Sequence, residues 1–516
     1  MRVGRFRSQG TAAFHEILPL VPRCQRPMKL HALFLATLLA AVGAGFSADK
    51  PNLILINIDD LGYADIGPFG STNATPNLDR MAKEGMKLTS HYAAPVCSPS
   101  RASMLTGCYP KRVLPIPHVL FPGAAVGLNP EETTVAEVLK EAGYKTACVG
   151  KWHVGDQPEF MPMAQGFDSY YGIPYSNDMG PAAEGAKSNP GQDRKAATKR
   201  KLPPNNTGVD ETGIKGYAQP PLPLVENGNV IERVKAEEQF TITSRYTDKV
   251  CDIIRANKEG PFFIYMPHTA VHFPLYPGKE FMGKSPNGLL GDWAQEVDSS
   301  VGKILDLLRE LKLDGKTLVV FTSDNGGSVT HGSNNKPLRG RKGETYEGGI
   351  RVCTLAWWPG RVHAETSTEE ITSHMDWLPT FAALAGAKLP ERKLDGKDLS
   401  PLLFSKKGAT GHDVFYYYRG FKLEAVRSGP MKLHLDKGEL YDLKDDIAEA
   451  KNLAADKPDE VKSLRALADL MKEDLGLDGA DAPGIRPLGR VAKAEPLISA
   501  DGTVRAGFDG VAKKLP

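Results

Sequence analysis

Four apolar runs each end in residues that can do acid, base or metal chemistry. Asn52-Leu53-Ile54-Leu55-Ile56-Asn57-Ile58 leads into Asp59-Asp60, and Thr317-Leu318-Val319-Val320-Phe321-Thr322 leads into Ser323-Asp324-Asn325. Lys145 to Val149 leads into Gly150-Lys151-Trp152-His153, and Phe262 to Met266 leads into Pro267-His268 and on to His272. Three carboxylates and an amide oxygen make a hard-oxygen set, which suits calcium or magnesium better than a soft metal. A lone Asp-Asp pair is ordinarily a turn or helix cap, but two such pairs after matching runs point to one shared site. A further group is Cys97-Ser98-Pro99-Ser100-Arg101, closed by Gly107. Ser98 suits an N-cap, Pro99 the first helical position and Gly107 the stop, which puts Cys97 just before a helix amino terminus that favours an anion. Arg101, about one turn on, can bring its guanidinium to the same spot. A fork of donors beside a nucleophile is what a sulfate or phosphate ester needs. On these residues alone, a buried structural cysteine and a thiolate nucleophile stay open as alternatives.

The elements that must position these groups are legible in outline. Near-continuous apolar runs read as strands buried on both faces of a parallel sheet. Helical stretches such as Thr133 to Ala142 and Glu296 to Leu311 separate them. The chain therefore reads as α/β, and in open α/β sheets ligands bind at the carboxyl ends of strands. Gly180 to Gly228 is rich in Gly, Pro, Asn and Lys and reads as a long excursion that either walls the pocket or lies free on the surface. After Gly386 the texture changes to short strand-like runs at Asp413 to Tyr418, Glu424 to Arg427, Met431 to Leu435 and Glu439 to Leu443, followed by a helical stretch from Pro458 to Leu475. Beyond Gly479, Gly, Pro and Ala predict a surface tail. Trp152, Trp357 and Trp358 read as core rather than as a sugar platform.

Composition narrows the class. A chain of 516 residues exceeds one ordinary domain, and 64 Lys+Arg against 62 Asp+Glu excludes a broad field for wrapping nucleic acid. Met28-Lys29, an apolar run from Ala32 to Val42 and small residues to Ser47 follow the grammar of a signal peptide cleaved near Ser47. The run is short for a membrane span, so the expectation is export without one. Removing Cys24 with the leader leaves Cys97, Cys108, Cys148, Cys251 and Cys353, an odd number, so at least one is expected to be free or chemically special. Asn73-Ala74-Thr75 and Asn205-Asn206-Thr207 fit glycosylation sequons.

The segment Cys97-Ser98-Pro99-Ser100-Arg101 resembles the Cys-x-Pro-x-Arg signature of the type I sulfatases, in which a dedicated enzyme oxidises the cysteine to formylglycine (3-oxoalanine). Leu105-Thr106-Gly107, Gly150-Lys151-Trp152-His153, Gly172-Ile173-Pro174-Tyr175-Ser176 and Lys342-Gly343-Glu344-Thr345-Tyr346-Glu347-Gly348-Gly349-Ile350-Arg351 extend the likeness, which is nearest to the arylsulfatase A branch. It runs from Pro51 to about Leu453. Arg341 stands where that branch has a cysteine, and Cys353 where many relatives have proline; both departures touch packing or disulfides.

The resemblance implies an alkaline-phosphatase-like mixed sheet sandwiched by helices, with a smaller carboxy-terminal α+β domain of antiparallel sheet plus helix. The expected division is a leader at 1–48, a catalytic domain at 49–386, a small domain at 387–480 and a tail at 481–516. It further implies that Asp59, Asp60, Asp324 and Asn325 hold Ca2+, with Mg2+ as the alternative, together with the formylglycine made from Cys97. Arg101 and Lys151 would steady the hydrated aldehyde, His153 would act as a base, and Lys342, His272 and Ser176 would bind sulfate, with His272 and Lys342 also serving the leaving oxygen. His268 and His331 are second-rank candidates that equally suit hydrogen-bonded loop histidines. The partners implied are a sulfate ester, with sulfated carbohydrate the leading class, and a formylglycine-generating enzyme. Two readings compete: a phosphate or phosphonate ester hydrolase of the wider superfamily, and a non-catalytic protein that binds sulfated glycans.

Overall fold

The computed structural model describes residues 50–199, 202 and 206–516. The expected signal peptide, Cys24 and Asn205 lie outside these residues.

The central strand Asn52–Ile58 is buried along its whole length, as its unbroken apolar run requires. Phe262–Pro267 lies parallel on one side of it and Thr317–Ser323 parallel on the other, so that Ile56 faces both Met266 and Phe321. The full order is Thr366–Thr368, Met86–Tyr92, Arg351–Trp357, Thr317–Ser323, Asn52–Ile58, Phe262–Pro267, Lys145–Val149, Ser169–Gly172, Pro223–Glu226, Asn229–Arg233, with Thr372–Ser373 also pairing Met86–Tyr92. Arg351–Trp357 runs antiparallel to both neighbours, which makes the sheet mixed. The chain starts in the middle, goes three places to one side for Met86–Tyr92, crosses to Lys145–Val149 two places out on the other side, runs on to that edge, returns to fill the gap with Phe262–Pro267 and then crosses back to Thr317–Ser323. The direction of winding therefore changes around Asn52–Ile58, and a crevice at the carboxyl ends of these strands is the expected outcome.

Alternation along the strands divides the core into two layers. Leu53, Leu55, Leu318 and Val320 face one side, where they join Trp377 and Phe381 of the helix Trp377–Ala385. Ile54, Ile56, Val319 and Phe321 face the other, against Ile242–Ala256 and the long helix Gly288–Glu310. Trp152, Trp357 and Trp358 are buried, as read from sequence.

A separate four-stranded antiparallel sheet, Val414–Arg419, Lys422–Ser428, Met431–His434 and Glu439–Asp442, is covered by the helix Pro458–Asp469. Its core shares Tyr92 and Ile350 with the large sheet.

One detail differs from the sequence reading and two others sharpen it. The last segment is more than a surface tail: Gly489–Arg490 pairs with Val126–Gly127, and Leu497 and Ile498 are fully buried in the main core. A few apolar residues in a Gly- and Ala-rich stretch suffice to dock it. Cys97, Cys108, Cys148, Cys251 and Cys353 are all buried and none forms a disulfide. Asn73 is also buried, donating to the Asp65 carbonyl and accepting from Ser285, so its sequon is closed to a glycan.

Candidate functional site

The helix Cys97–Thr106 is buried at all ten residues and ends at Gly107, whose left-handed backbone lets its N–H reach the Ser103 carbonyl. It begins two residues earlier than the sequence predicts. Val96 is the N-cap, and Ser98 uses its hydroxyl to accept the Leu120 N–H instead of capping. Cys97 thus occupies the first helical position, on the end where amide N–H groups have no helical partner.

Around its sulfur the strand ends converge. Cys97 Sγ lies 3.3 Å from Asp59 Oδ1 and 3.5 Å from Lys342 Nζ. Lys342 Nζ donates to both oxygens of Asp60, at 2.7 and 2.9 Å. Arg101 turns its guanidinium onto Asp324 Oδ2 through Nε and Nη2 at 3.0 and 2.8 Å, with Asp59 Oδ2 3.6 Å away. Lys151 Nζ donates to Asp59 Oδ2 and, at 3.2 Å, to Ser176 Oγ. Ser176 Oγ is 3.3 Å from His272 Nδ1, and His272 Nε2 is 3.6 Å from Asp60 Oδ2. The structure therefore gathers Asp59, Asp60, Cys97, Arg101, Lys151, Ser176, His272, Asp324, Asn325 and Lys342 into one continuous contact network.

Backbone shape helps to aim these groups. Asp60 and His153 both have positive φ, of 60° and 67°, a conformation uncommon for side-chain-bearing residues and concentrated at functional sites. Gly150 has φ 137°, and a Cβ there would sit 1.8 Å from the Pro267 carbonyl oxygen. That close crossing lets Lys151 and His153 leave their strand toward the centre. His153 donates from one ring nitrogen, Nε2, to the Leu120 carbonyl at 2.9 Å, because a carbonyl can only accept. Nδ1 is then the lone-pair nitrogen, and it is buried without a partner among the described residues.

His268 and His331 are not part of the network. Both ring nitrogens of His268 are buried and have no partner among the described residues, and the ring lies edge-on to Tyr246. His331 stacks on Phe273 at 4.5 Å and faces Ser328 Oγ.

Charge is tightly balanced here. Burial pushes the Asp59 carboxyl up, yet Lys151, His272, Arg101 and Lys342 outweigh it and hold the group far below the usual carboxylate range. Burial and the charges of Asp324 and Asp59 push the Cys97 thiol well up, so the cysteine as encoded is a thiol and not a poised thiolate. Burial, with help from Lys151 and Arg101, keeps His153 neutral.

The donor set also fits a hard cation. Asp59, Asp60, Cys97 and His272 offer ligand atoms within 4.8 Å of one another. Asn325 donates from Nδ2 to Asp60 Oδ1 and the Gly326 carbonyl, while its Oδ1 is buried with no partner among the described residues. A buried amide oxygen left without a donor, on a residue bonded to Asp60, is suited to ligate a hard cation.

Sequence reasoning did not single out the wall of the adjoining cavity. It measures about 350 Å3 and is lined in part by His118, Lys215 and Arg419, from three distant segments with no shared motif.

Comparison with known proteins matches residues 51–387 to the family model described as "Sulfatase", and residues 341–475 to "N-sulphoglucosamine sulphohydrolase, C-terminal". The chain is 40% identical over 424 residues to arylsulfatase A of Bos taurus, covering 78% of both proteins. It is 36% identical over 425 residues to N-acetylgalactosamine-6-sulfatase of Canis lupus familiaris, covering 78% of this chain and 75% of that protein. Among solved structures, Ps i-CgsB in complex with k-i-k-neocarrahexaose superposes with a TM-score of 0.67 at 32% identity, covering 82% of this chain and 93% of the other.

Proposed function

Because this chain belongs to the sulfatase family and is a sulfuric ester hydrolase of the arylsulfatase type, we propose that Cys97 is the precursor of a formylglycine that works beside a bound calcium ion. The observation that carries this reading is the placement of Cys97 Sγ against Asp59 and Lys342, in a network in which Lys342 also holds Asp60 and Asp60 accepts from Asn325, whose own oxygen is orphaned among the described residues. Asp59, Asp60, Asp324 and Asn325 would hold the cation, with magnesium as the alternative. When present, the two groups supply a geminal diol that attacks sulfur and a positive charge that neutralises sulfate oxygens.

The chain's own residues do the positioning and the proton work. Arg101, locked on Asp324 and near Asp59, fixes the two carboxylates relative to the nucleophile helix. Lys151 and Ser176 form a donor pair beside Asp59, suited to the oxygens at position 97 and to the sulfate. Lys342 reaches Cys97 Sγ itself, at 3.5 Å, and can donate to the ester oxygen as charge develops there. His272 Nδ1 faces the Phe273 carbonyl, so it carries the proton when donating there and Nε2 keeps the lone pair; protonated, Nε2 can deliver a proton to the leaving alkoxide. His153, held neutral with its Nδ1 lone pair unpartnered, is a base and not an acid.

The substrate class proposed is sulfated carbohydrate. Its support is the relatives named for N-acetylgalactosamine-6-sulfate chemistry and for a neocarrahexaose complex. Export is proposed from the leader grammar alone; no helix of the described residues is long and apolar enough to cross a membrane.

The test is mass spectrometry of the Cys97 peptide from protein produced with a formylglycine-generating enzyme, alongside turnover of para-nitrophenyl sulfate and para-nitrophenyl phosphate. Formylglycine at position 97 and preferential sulfate release, both absent in Cys97→Ala, are expected. An unmodified thiol under those conditions overturns the mechanism in favour of the glycan-binding reading, and faster phosphate release favours the phosphoesterase.

A further inference from the structure

The cavity of about 350 Å3 beside the nucleophile has a charge pattern that the sulfate site does not explain. Its floor includes Pro95 and Val96, immediately before Cys97, and Gly343, immediately after Lys342; the Gly343 N–H donates to the Pro95 carbonyl at 2.8 Å and ties the two segments together. The cavity therefore adjoins the backbone segments that carry Cys97 and Lys342. Among the described residues that line it, Lys111, His118, Lys215 and Arg419 are basic and none is acidic.

The basic groups differ in how free they are. Lys111 is spent on structure, donating to the Phe421 and Gly476 carbonyls and lying 5.1 Å over the Tyr418 ring. His118 is exposed. Lys215 and Arg419 are paired at the rim, with Asp210 and Glu424 respectively. Each pair has one covered and one exposed partner, Lys215 at 12% against Asp210 at 52% and Glu424 at 18% against Arg419 at 56%, so the Arg419 guanidinium is the cation most open to a ligand anion and Lys215 contributes from the wall. A neighbouring depression across Arg419 carries Glu344, Glu424 and Asp436 beside Lys422 and Lys437. The acid-free lining thus distinguishes the cavity beside Val96 from its neighbour.

We propose that this cavity is a subsite for a second anionic group, a sulfate or a carboxylate on the sugar portion of the substrate, held by Arg419, Lys215 and His118. The inference rests on the sulfatase reading and narrows its substrate to polyanionic oligosaccharides. Phe121, which lies 5.4 Å beneath Lys215 Nζ, and Tyr418 give the cavity apolar faces on which a sugar ring can pack. Its volume lies near the low end of ligand cavities, roughly 300–1,000 Å3, which suits one sugar residue with its charged substituent.

The test uses the matured enzyme and para-nitrophenyl sulfate as reporter. Three competitors are compared: inorganic sulfate, a fully sulfated heparin tetrasaccharide and neutral cellotetraose. The tetrasaccharide is expected to inhibit at lower concentration than inorganic sulfate, and cellotetraose not to inhibit. In Lys215→Ala/Arg419→Ala, the ratio of the tetrasaccharide Ki to the sulfate Ki should rise about tenfold or more, the loss expected for charge-assisted hydrogen bonds. Arg419→Lys should keep most of the preference. An unchanged ratio, or equal inhibition by sulfate and tetrasaccharide in the wild type, overturns the subsite. Failure of the wild type to turn over the reporter instead strikes the sulfatase mechanism, and the ratio is then read from equilibrium binding of the same three competitors.

Discussion

Asn325 presents its two amide ends to opposite kinds of partner: Nδ2 donates to Asp60, while Oδ1 is buried and unpaired. Leaving such an oxygen dry costs about 1–3 kcal/mol, and a cation recovers that cost. Adding calcium to chelated protein should therefore raise the melting temperature, since a ligand that binds only the folded state at about 100 times its Kd adds ~2.7 kcal/mol. Asn325→Leu, which keeps the volume and removes the oxygen, should shrink that calcium-dependent rise. An undiminished rise in the leucine variant would take Asn325 out of the metal site. Residues of this kind were legible in the sequence because each follows a buried apolar run, so the fold delivers them to one edge. Arg419 and Lys215 were not, because a hairpin turn and a loop excursion carry no periodicity that reports what they face.

The strand ends depend on close backbone crossings as much as on side chains. Gly150 sits at φ 137° with the Pro267 carbonyl where a Cβ would go. Gly150→Ala should cost at least about 1–3 kcal/mol in denaturant unfolding and lower turnover by roughly a hundredfold, because Lys151 and His153 move together. A variant with normal kinetics would show that the crossing is not what aims them. On the long helix Gly288–Glu310, Glu296 is buried with Oε2 accepting the Gly278 N–H at 2.7 Å and Oε1 unpartnered among the described residues. Burial pushes its carboxyl up to about 8. A raised pKa means the folded state holds a proton that the unfolded chain releases near 4.5. The stability it contributes is therefore full below about 4.5 and is lost as pH rises through about 8. Glu296→Gln should match the wild type at pH 5 and melt higher at pH 9, a difference that thermal scans at the two pH values would reveal. The helix was legible from Glu296 onward, though not its first eight residues. Its buried acid was not, since the sequence does not say which polar position the loop at Gly278 will cover.

At the scale of the whole molecule, the large sheet, the segment carrying Lys342 and the carboxy-terminal sheet meet in a buried ionic network. Lys432, on the strand Met431–His434, donates to the Thr345 carbonyl and Glu347 Oε1, both at 2.8 Å, and lies 2.9 Å from Glu449 Oε1. Glu347 accepts from Tyr92 of the large sheet and Tyr417 of the small one, and Glu449 accepts the Glu347 N–H. The side chains of Lys432, Glu347 and Glu449 have no solvent exposure. The alternating texture after Gly386 made the second sheet legible, but three charged residues spread over about a hundred positions gave no sign that they bind it to the first. A buried pair adds little over an apolar substitute, whereas breaking one strands a charge at about 3–5 kcal/mol. Lys432→Met should therefore destabilise the protein by about that amount, and it should also lower kcat/KM, since Thr345 lies three residues from Lys342. Neutralising the stranded charge in Lys432→Met/Glu449→Gln should recover part of the stability, giving a coupling energy that a purely local packing defect would lack. Additive losses in that cycle would mean that Lys432 and Glu449 are not energetically coupled, leaving Glu347 and the Thr345 carbonyl as the partners through which Lys432 holds the segment that carries Lys342.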